Sequence, residues 1–276
     1  MDESIWLLND VQFRAFAAPV YRYLRRNSHR RRRQRKLTVA DLLRMFLLKA
    51  KHNQLQVLLA ERFEISQSSV ARALAYTQRL VCEVFGQDIG DPEALKTAID
   101  ELLAAGDGYG IALLDGTIVP LGSSAIDHEN YSGKVHRVGK NLQVVADGSG
   151  QLLAVSAPLL GRTHDKLALD LSGFGECLVR EGLWTIADRG YKGAKLKTPC
   201  KCYKHQPFTL WDWAENRALS AIRNAVERAI SHLKSLAVLR TGIRSHAIDR
   251  NRAVRNIIVS AVALFLFRQN WRLEHP

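Results

Sequence analysis

The sequence predicts an all-α region followed by an α/β region, and three observations lead to this fold class. Before residue 85, apolar residues recur at helical spacing. After residue 108, short apolar runs alternate with turn residues and helical stretches, the pattern of a mixed sheet domain. An acidic, glycine-containing segment separates the two patterns. We therefore expect domains at residues 1–85 and 109–276, with 86–108 as a linker or connecting helix.

The first region contains the spacing of a helix-turn-helix. Residues 38–50 form a predicted helix that Thr38 caps, and a second helix covers residues 54–63. A third helix opens at Ser66, which leaves only two residues for the turn. A tight turn and a polar helix start are typical of a major-groove recognition helix, although an ordinary helical hairpin has the same periodicity. The side chains predicted to face DNA are Gln67, Ser68, Ser69 and Arg72.

The charge balance favours a polyanionic partner. The chain has 40 Lys and Arg against 27 Asp and Glu, a net charge of +13, which points to nucleic acid. Arg30, Arg31, Arg32 and Arg33 belong to a basic run that is either a DNA-contacting arm or a solvated tail. Four cysteines without a dense disulfide pattern, and no signal peptide, predict a cytoplasmic protein. The longest charge-free apolar stretch, residues 256–267, is shorter than the roughly 20 residues of a membrane span.

Two predicted strands of the second region end in a carboxylate. Residues 109–114 run into Asp115 and residues 183–187 run into Asp188. One such acid is usually the polar residue that closes a strand, but two on similar apolar strands favour a shared site at the sheet edge. The remaining strands are predicted at 141–146 and 152–160, with a turn at 147–150 and helices at 164–171 and 215–235.

A third acid lies on the predicted helix at residues 215–235. Glu227 shares one helix face with Arg223 and Lys234, beside an apolar stripe. Taken alone, Arg223 and Glu227 are an ordinary surface pair. Three carboxylates without matching His or Cys ligands favour Mg²⁺ or Mn²⁺ over zinc, and two such ions suit cleavage of a phosphodiester.

Several blocks of the sequence resemble bacterial insertion-sequence DDE transposases, in the group related to insertion-sequence family five, over nearly the whole chain. Arg223, Glu227 and Lys234 keep the family spacing of Arg, three residues, Glu, six residues and Lys. LLDGT resembles the first-acid block and ADRGYKG the second, which carries those roles to Asp115 and Asp188.

The resemblance implies a ribonuclease-H-like catalytic domain that follows a helix-turn-helix DNA-binding domain. Asp115, Asp188 and Glu227 are then catalytic residues and ligands of two metal ions, while Arg223 and Lys234 hold DNA phosphates. The segment GRTHD resembles a block whose last two residues, His164 and Asp165, lie near the site. The implied partner is double-stranded DNA at terminal inverted repeats and target sites, bound by a homo-oligomer.

Two other functions remain compatible with the sequence. A DNA-binding regulator derived from a transposase would keep the fold without cutting, although the intact acid triad argues against it. A metal-dependent endonuclease would hydrolyse DNA without strand transfer.

Overall fold

The computed structural model describes residues 7–27, 36–122, 127–202, 208–244 and 249–275. The chain divides into two compact units, one of residues 88–233 and one that combines residues 1–87 and 234–276. The helices are α1 (Asp10–Arg26), α2 (Val39–His52), α3 (Gln56–Arg62), α4 (Gln67–Phe85), α5 (Pro92–Ala105), α6 (Asp165–Ser172), α7 (Phe174–Cys177), α8 (Leu210–Leu233), α9 (Ala237–Arg240) and α10 (Arg250–Glu274). The strands are β1 (Gly110–Pro120), β2 (Tyr131–Ser132), β3 (Arg137–Asp147), β4 (Leu152–Val155), β5 (Leu159–Leu160) and β6 (Leu183–Ala187).

The helix-turn-helix consists of α3 and α4, which pack against α2. Thr38 caps α2 through a reciprocal bond pair with Asp41, and Ser66 caps α4 by accepting from the Ser69 amide. Glu64 has a φ of 50° in the turn between α3 and α4. Their shared core consists of buried apolar side chains: Leu42, Met45, Leu48, Leu59, Val70, Ala73 and Leu74.

The second predicted helix is shorter and less buried than the sequence indicates. Residues 54–63 were predicted to be helical, but α3 begins at Gln56 and ends at Arg62. Leu55 precedes the helix as its cap and is 58% exposed, and Leu58 is 49% exposed. A helix of two turns presents only a narrow face to its neighbours, and Leu59 fills it.

The carboxyl-terminal helix packs with the amino-terminal helices. Residues 234–276 were expected in the catalytic domain, but α10 contacts α4 and α9, and Phe267 meets two rings from the first helices. Phe16 stacks on Phe85 with ring centroids 4.8 Å apart, and Phe267 meets Phe16 edge-on at 5.1 Å. Apolar burial is not directional, so α10 joins whichever unit offers a matching surface.

A mixed sheet forms the centre of the second unit. β3 pairs antiparallel with β1 over residues 139–147, and β4 pairs antiparallel with β3 on its other side. β6 pairs parallel with β1. Three antiparallel strands with a fourth parallel to the first form the arrangement of ribonuclease-H-like folds, so the predicted fold class is confirmed.

Helices cover both faces of this sheet. Leu95 and Ile99 of α5 pack with Leu114, Val145 and Phe174 in one buried cluster, so the segment expected to link the domains belongs to the sheet unit. α8 contacts β1, β3 and β6 but contributes nothing to that cluster, and so covers the opposite face. Alternate residues of a strand point to opposite faces, so Leu113 and Asp115 point toward α8. None of the helices that the structure describes has the length and hydropathy of a membrane span.

Removing the Phe16 ring should destabilise the helical unit. Phe16 is fully buried between the rings of Phe85 and Phe267, so Phe16→Ala should cost about 3 kcal/mol in the free energy of unfolding. Urea unfolding followed by circular dichroism measures this. Val11→Ala, at a 62% exposed position of the same helix, is the control and should change the free energy by less than about 0.5 kcal/mol. Equal effects of the two variants would contradict the packing described.

Candidate active site

The register between β1 and β6 places two acids side by side. The last parallel pair is Leu114 with Ala187, and the next residue on each strand is an aspartate, Asp115 and Asp188. β6 ends there, whereas β1 continues to Pro120 because its other edge still pairs with β3. The sequence predicted Asp115 at the end of its strand. In the structure this acid lies within β1 instead. The two carboxylates still meet at one place.

Each carboxylate is held by a backbone amide close to it in sequence. Gly116 N donates to Asp115 Oδ1 at 2.8 Å, and Gly190 N donates to Asp188 Oδ1 at 2.7 Å. The second bond forms because Asp188 begins a short 3₁₀ turn, residues 189–191. A β-carbon on Gly190 would lie 2.9 Å from the same oxygen, so the residue at that position has to be glycine or displace the acid. These bonds fix the two carboxylates before any ligand binds.

Opposing influences act on the pKa of Asp115. Its side chain is 16% exposed, and Arg223 Nη2 lies 3.7 Å from Oδ2. Burial raises the pKa of Asp115, while Arg223 and the Gly116 amide lower it and the neighbouring Asp188 raises it again. The pKa of Asp115 is raised overall, so the folded chain disfavours the ionised form of this acid. A further cation beside Asp115 would lower its pKa and favour the ionised form.

A third carboxylate, Asp165, belongs to the same cluster. The side chain is 13% exposed at the first residue of α6. A β-carbon on Gly116 would lie 3.0 Å from one of its oxygens, and one on Gly190 would lie 2.4 Å from the other. Asp165 thus lies between the backbone segments that carry Asp115 and Asp188. The family resemblance implied a position near the site, and in the structure the Asp165 carboxylate lies beside the segments that carry the other two acids.

Lys134 contacts two of these acids. Its Nζ lies 3.0 Å from Asp165 Oδ2 and 3.5 Å from Asp188 Oδ2. Burial lowers the pKa of Lys134, but the three carboxylates outweigh it and raise the pKa overall. Lys134 comes from the turn between β2 and β3, and no periodicity or spacing in the sequence marks it.

A chain of buried polar side chains connects the acid-bearing segments. The hydroxyl of Tyr191 donates to Gln143 Oε1 at 2.7 Å, and Gln143 Nε2 donates to Asn141 Oδ1 at 3.0 Å. Asn141 Nδ2 in turn donates to the Thr163 carbonyl at 3.0 Å, two residues before Asp165. Burial, and then the nearby carboxylates, raise the pKa of Tyr191, so the phenol stays protonated as a donor. Polar residues at 141 and 143 within an apolar run were the sequence signal for this network.

The third predicted acid is not in contact with the first two. Glu227 is exposed on α8, one turn beyond Arg223, and has no hydrogen bond or ion pair among the residues that the structure describes. In that same part of the chain, no three His, Cys, Asp or Glu side chains converge closely enough to hold a metal ion. Arg223, expected on a DNA phosphate, lies against Asp115, and its buried Nε has no hydrogen-bond partner. Lys234 is partly buried and follows the last residue of α8.

The predicted DNA-binding residues fall into three groups. Gln67, Ser68 and Arg72 are exposed along the start of α4. Ser69 is partly buried, and its hydroxyl accepts from Arg72 Nη2 at 3.3 Å, so it positions Arg72 more than it faces solvent. Residues 30–33 lie outside the described residues. His164 is exposed and precedes α6 without a capping bond from its side chain.

The residues of this cluster fit a hard divalent cation. The donor atoms are all carboxylate oxygens, which Mg²⁺ and Mn²⁺ prefer. Lys134 and Arg223 pair with the three carboxylates, and together these two cations carry less charge than the three acids. The ammonium of Lys134 already lies between Asp165 and Asp188 and pairs with both. The carboxylates of Asp115, Asp165 and Asp188 therefore have the chemistry that such an ion requires, and they would have to move closer together to hold it as a group of three.

Two family models match the chain. One, described as DDE superfamily endonuclease, matches residues 114–265, more than half of the chain, a range that includes Asp115, Asp165 and Asp188. The chain belongs to the DDE superfamily of endonucleases. A second model, the helix-turn-helix of DDE superfamily endonuclease, matches residues 35–87 of this DDE protein. Enzymes of the superfamily use divalent metal ions.

Solved structures similar to this DDE protein are distant. A pre-cleavage Mos1 transpososome is 12% identical, with a TM-score of 0.24, and the match covers 91% of this chain and 84% of that chain. A Mos1 transposase paired-end complex with left transposon end is 15% identical, with a TM-score of 0.21 and coverage of 81% and 88%. Scores this low add nothing to the fold described above. No curated protein sequence matches the chain.

Loss of the Tyr191 hydroxyl should weaken the sheet unit. Tyr191→Phe keeps the ring but leaves the buried Gln143 oxygen without a donor, which should cost about 1–2 kcal/mol in the free energy of unfolding. The control is Tyr131→Phe, because Tyr131 is 44% exposed and its hydroxyl makes only a 3.4 Å contact with His136. Urea titration of both variants gives the comparison. No difference between them would mean that the Tyr191 bond contributes nothing.

Proposed function

We propose that this DDE endonuclease is a DNA transposase of a bacterial insertion sequence, related to insertion-sequence family five. It binds terminal inverted repeats, cleaves at them and joins the free 3′ ends to target DNA. The observation that carries the proposal is the parallel pairing that sets Asp115 beside Asp188, in a chain whose family is an endonuclease with its own helix-turn-helix. Further support comes from the Arg223, Glu227 and Lys234 spacing.

The proposed catalytic residues are Asp115, Asp188 and Glu227, which would hold Mg²⁺ or Mn²⁺, with two ions expected. When bound, these ions activate an attacking oxygen and neutralise a departing one. Glu227 is on the helix whose Arg223 already touches Asp115, and as an exposed side chain it is free to adopt another rotamer. The hydrolytic step breaks a phosphorus–oxygen bond at the transposon end and leaves a 3′-hydroxyl. In the transfer step the oxygen of that hydroxyl forms a bond to a target phosphorus, and the bond from this phosphorus to the target strand's 3′ oxygen breaks and releases a 3′-hydroxyl.

The chain's own residues prepare the site for this chemistry. Arg223 favours the ionised form of Asp115 against the effect of burial. The amides of Gly116 and Gly190 orient the acids, and Tyr191 remains a neutral donor beside them. Fixed dipoles and charges that need no rearrangement are the main source of electrostatic catalysis.

DNA recognition is assigned to α4, with Gln67, Ser68 and Arg72 toward base edges or phosphates. The net charge of +13 would attract the duplex. Arg30, Arg31, Arg32 and Arg33 are proposed to follow the DNA backbone. Lys234 is proposed to hold a phosphate. We place the protein in the bacterial cytoplasm on nucleoid DNA, as a homo-oligomer when two transposon ends are paired.

Arg72 should contribute directly to DNA affinity. Arg72→Ala should weaken binding to a duplex that carries the element's own end about tenfold and reduce the slope of log affinity against log salt by about one. Fluorescence anisotropy at several salt concentrations measures both quantities. Arg14→Ala removes the same charge from an exposed position of α1 and should have a much smaller effect. Equal losses in the two variants would indicate a general charge effect and not recognition by α4.

The three acids should be required for chemistry and not for DNA binding. Asp115→Asn, Asp188→Asn and Glu227→Gln should each lower Mg²⁺-dependent cleavage and strand transfer at least about a hundredfold, while the affinity for the ends stays within about twofold. Asp170→Asn and Glu176→Gln, at exposed positions of the same unit, are the matched controls. Gel assays on labelled transposon ends give cleavage and joining separately.

Each alternative function has its own outcome in that assay. Binding by the wild type without cleavage would identify a regulator derived from a transposase. Cleavage without joining would identify an endonuclease. Retained activity in Glu227→Gln, with both aspartate variants inactive, would remove Glu227 from the triad and leave the aspartate pair.

A further inference from the structure

Two cations lie in the acid cluster, and they differ in how firmly they are held. Arg223 has a side chain that is 15% exposed, with its guanidinium against Asp115. Lys134 has a side chain that is 59% exposed, on the turn between β2 and β3. A buried guanidinium cannot leave without exposing an unpaired carboxylate, whereas a solvated lysine head on a flexible stem can move at little cost. Lys134 is therefore the exchangeable cation of the two.

The depth of Asp165 is difficult to explain by its pairing with Lys134 alone. A surface ion pair contributes little to stability, and it does not require a carboxylate that is 13% exposed beside two others. Three like charges in one cluster repel each other unless cations balance them. Lys134 and Arg223 offset two of these three negative charges. If Lys134 withdraws, Arg223 offsets one, and a divalent ion has the charge that would offset the other two.

We propose that the ammonium of Lys134 occupies the position of a divalent cation between Asp165 and Asp188, so that metal binding displaces Lys134 and adds Asp165 to the metal ligands. This inference rests on the proposed function, because it assumes a metal site at Asp115 and Asp188. It assigns Asp165 a direct part in that site. It also makes Lys134 a competitor of the metal, released toward solvent when the ion binds.

Metal affinity without DNA tests the proposal, because it does not depend on activity. Free Mn²⁺ is titrated into the full chain and followed by electron paramagnetic resonance. Lys134→Met removes the competitor and should tighten Mn²⁺ binding about fivefold, the effect of an ion pair of ordinary strength. Asp165→Asn removes a ligand and should weaken binding at least about tenfold. Circular dichroism confirms folding, and Lys134→Gln serves as a second variant at the lysine.

Matched controls separate these effects from a change of net charge. Lys166→Met removes a lysine charge next to Asp165 in sequence, at an exposed position without an ion pair to the acids among the described residues. Asp170→Asn removes an exposed carboxylate of the same helix. Both controls should bind Mn²⁺ within about twofold of the wild type.

The opposite signs of the two substitutions make the result decisive. If Asp165 only holds Lys134 in place, Asp165→Asn would free the lysine and tighten Mn²⁺ binding, which overturns the proposal. Unchanged or weaker binding in Lys134→Met also overturns it. Asp115→Asn is the reference for the proposed function: if it binds Mn²⁺ as the wild type does, the metal site itself is elsewhere. Weakened binding in Asp115→Asn with no effect at Lys134 would leave the proposed function intact and reject this inference alone.

Discussion

The parallel pairing of β1 with β6 is the constraint on which the site depends. Parallel neighbours run in the same direction, so residues that follow a paired position emerge at the same level of the sheet. Here the pair of Leu114 with Ala187 sets Asp115 and Asp188 together although 72 positions in the sequence separate the members of each pair. A shift of one residue in either strand would send one of the two carboxylates to the opposite face. The buried positions on both strands, among them Leu113 and Ile186, prevent that shift because each already fills the core.

The fold could be predicted from the sequence wherever one physical signal dominates. Caps and helical periodicity predicted where α2 and α4 begin, and a short apolar run predicted β6, but α2 extends past its predicted end at residue 50. β1 was predicted too short, because Asp115 and Gly116 have the composition of a turn while their backbone pairs with β3. The sequence also did not indicate that α10 packs with α4 and α9. A helix buried on most sides carries no sign of which neighbours bury it.

The residues of the site likewise differ in whether a local sequence pattern predicts them. The two neighbouring aspartates were predictable, since each follows an apolar run and the two runs are alike. Lys134 was not, because it reaches the acids from a turn whose path no local pattern specifies. Asp165 was placed near the site only through the resemblance to a family. Its depth depends on the packing of α6 against the sheet, which is a property of the folded chain. Glu227 stays a prediction, since its side chain is exposed and contacts neither acid.

The order of segments along the chain affects how this protein can fold as it is made. In the sequence, the helical unit consists of residues before and residues after the sheet unit. Phe16 and Phe85 therefore leave the ribosome long before Phe267, whose ring contacts both. The sheet unit, in contrast, is contiguous and can close as soon as α8 has been synthesised. The apolar surface of the first helices therefore stays uncovered during that interval, a state prone to misassembly or capture by chaperones. Nascent chains would fold the sheet unit first and complete the helical unit last.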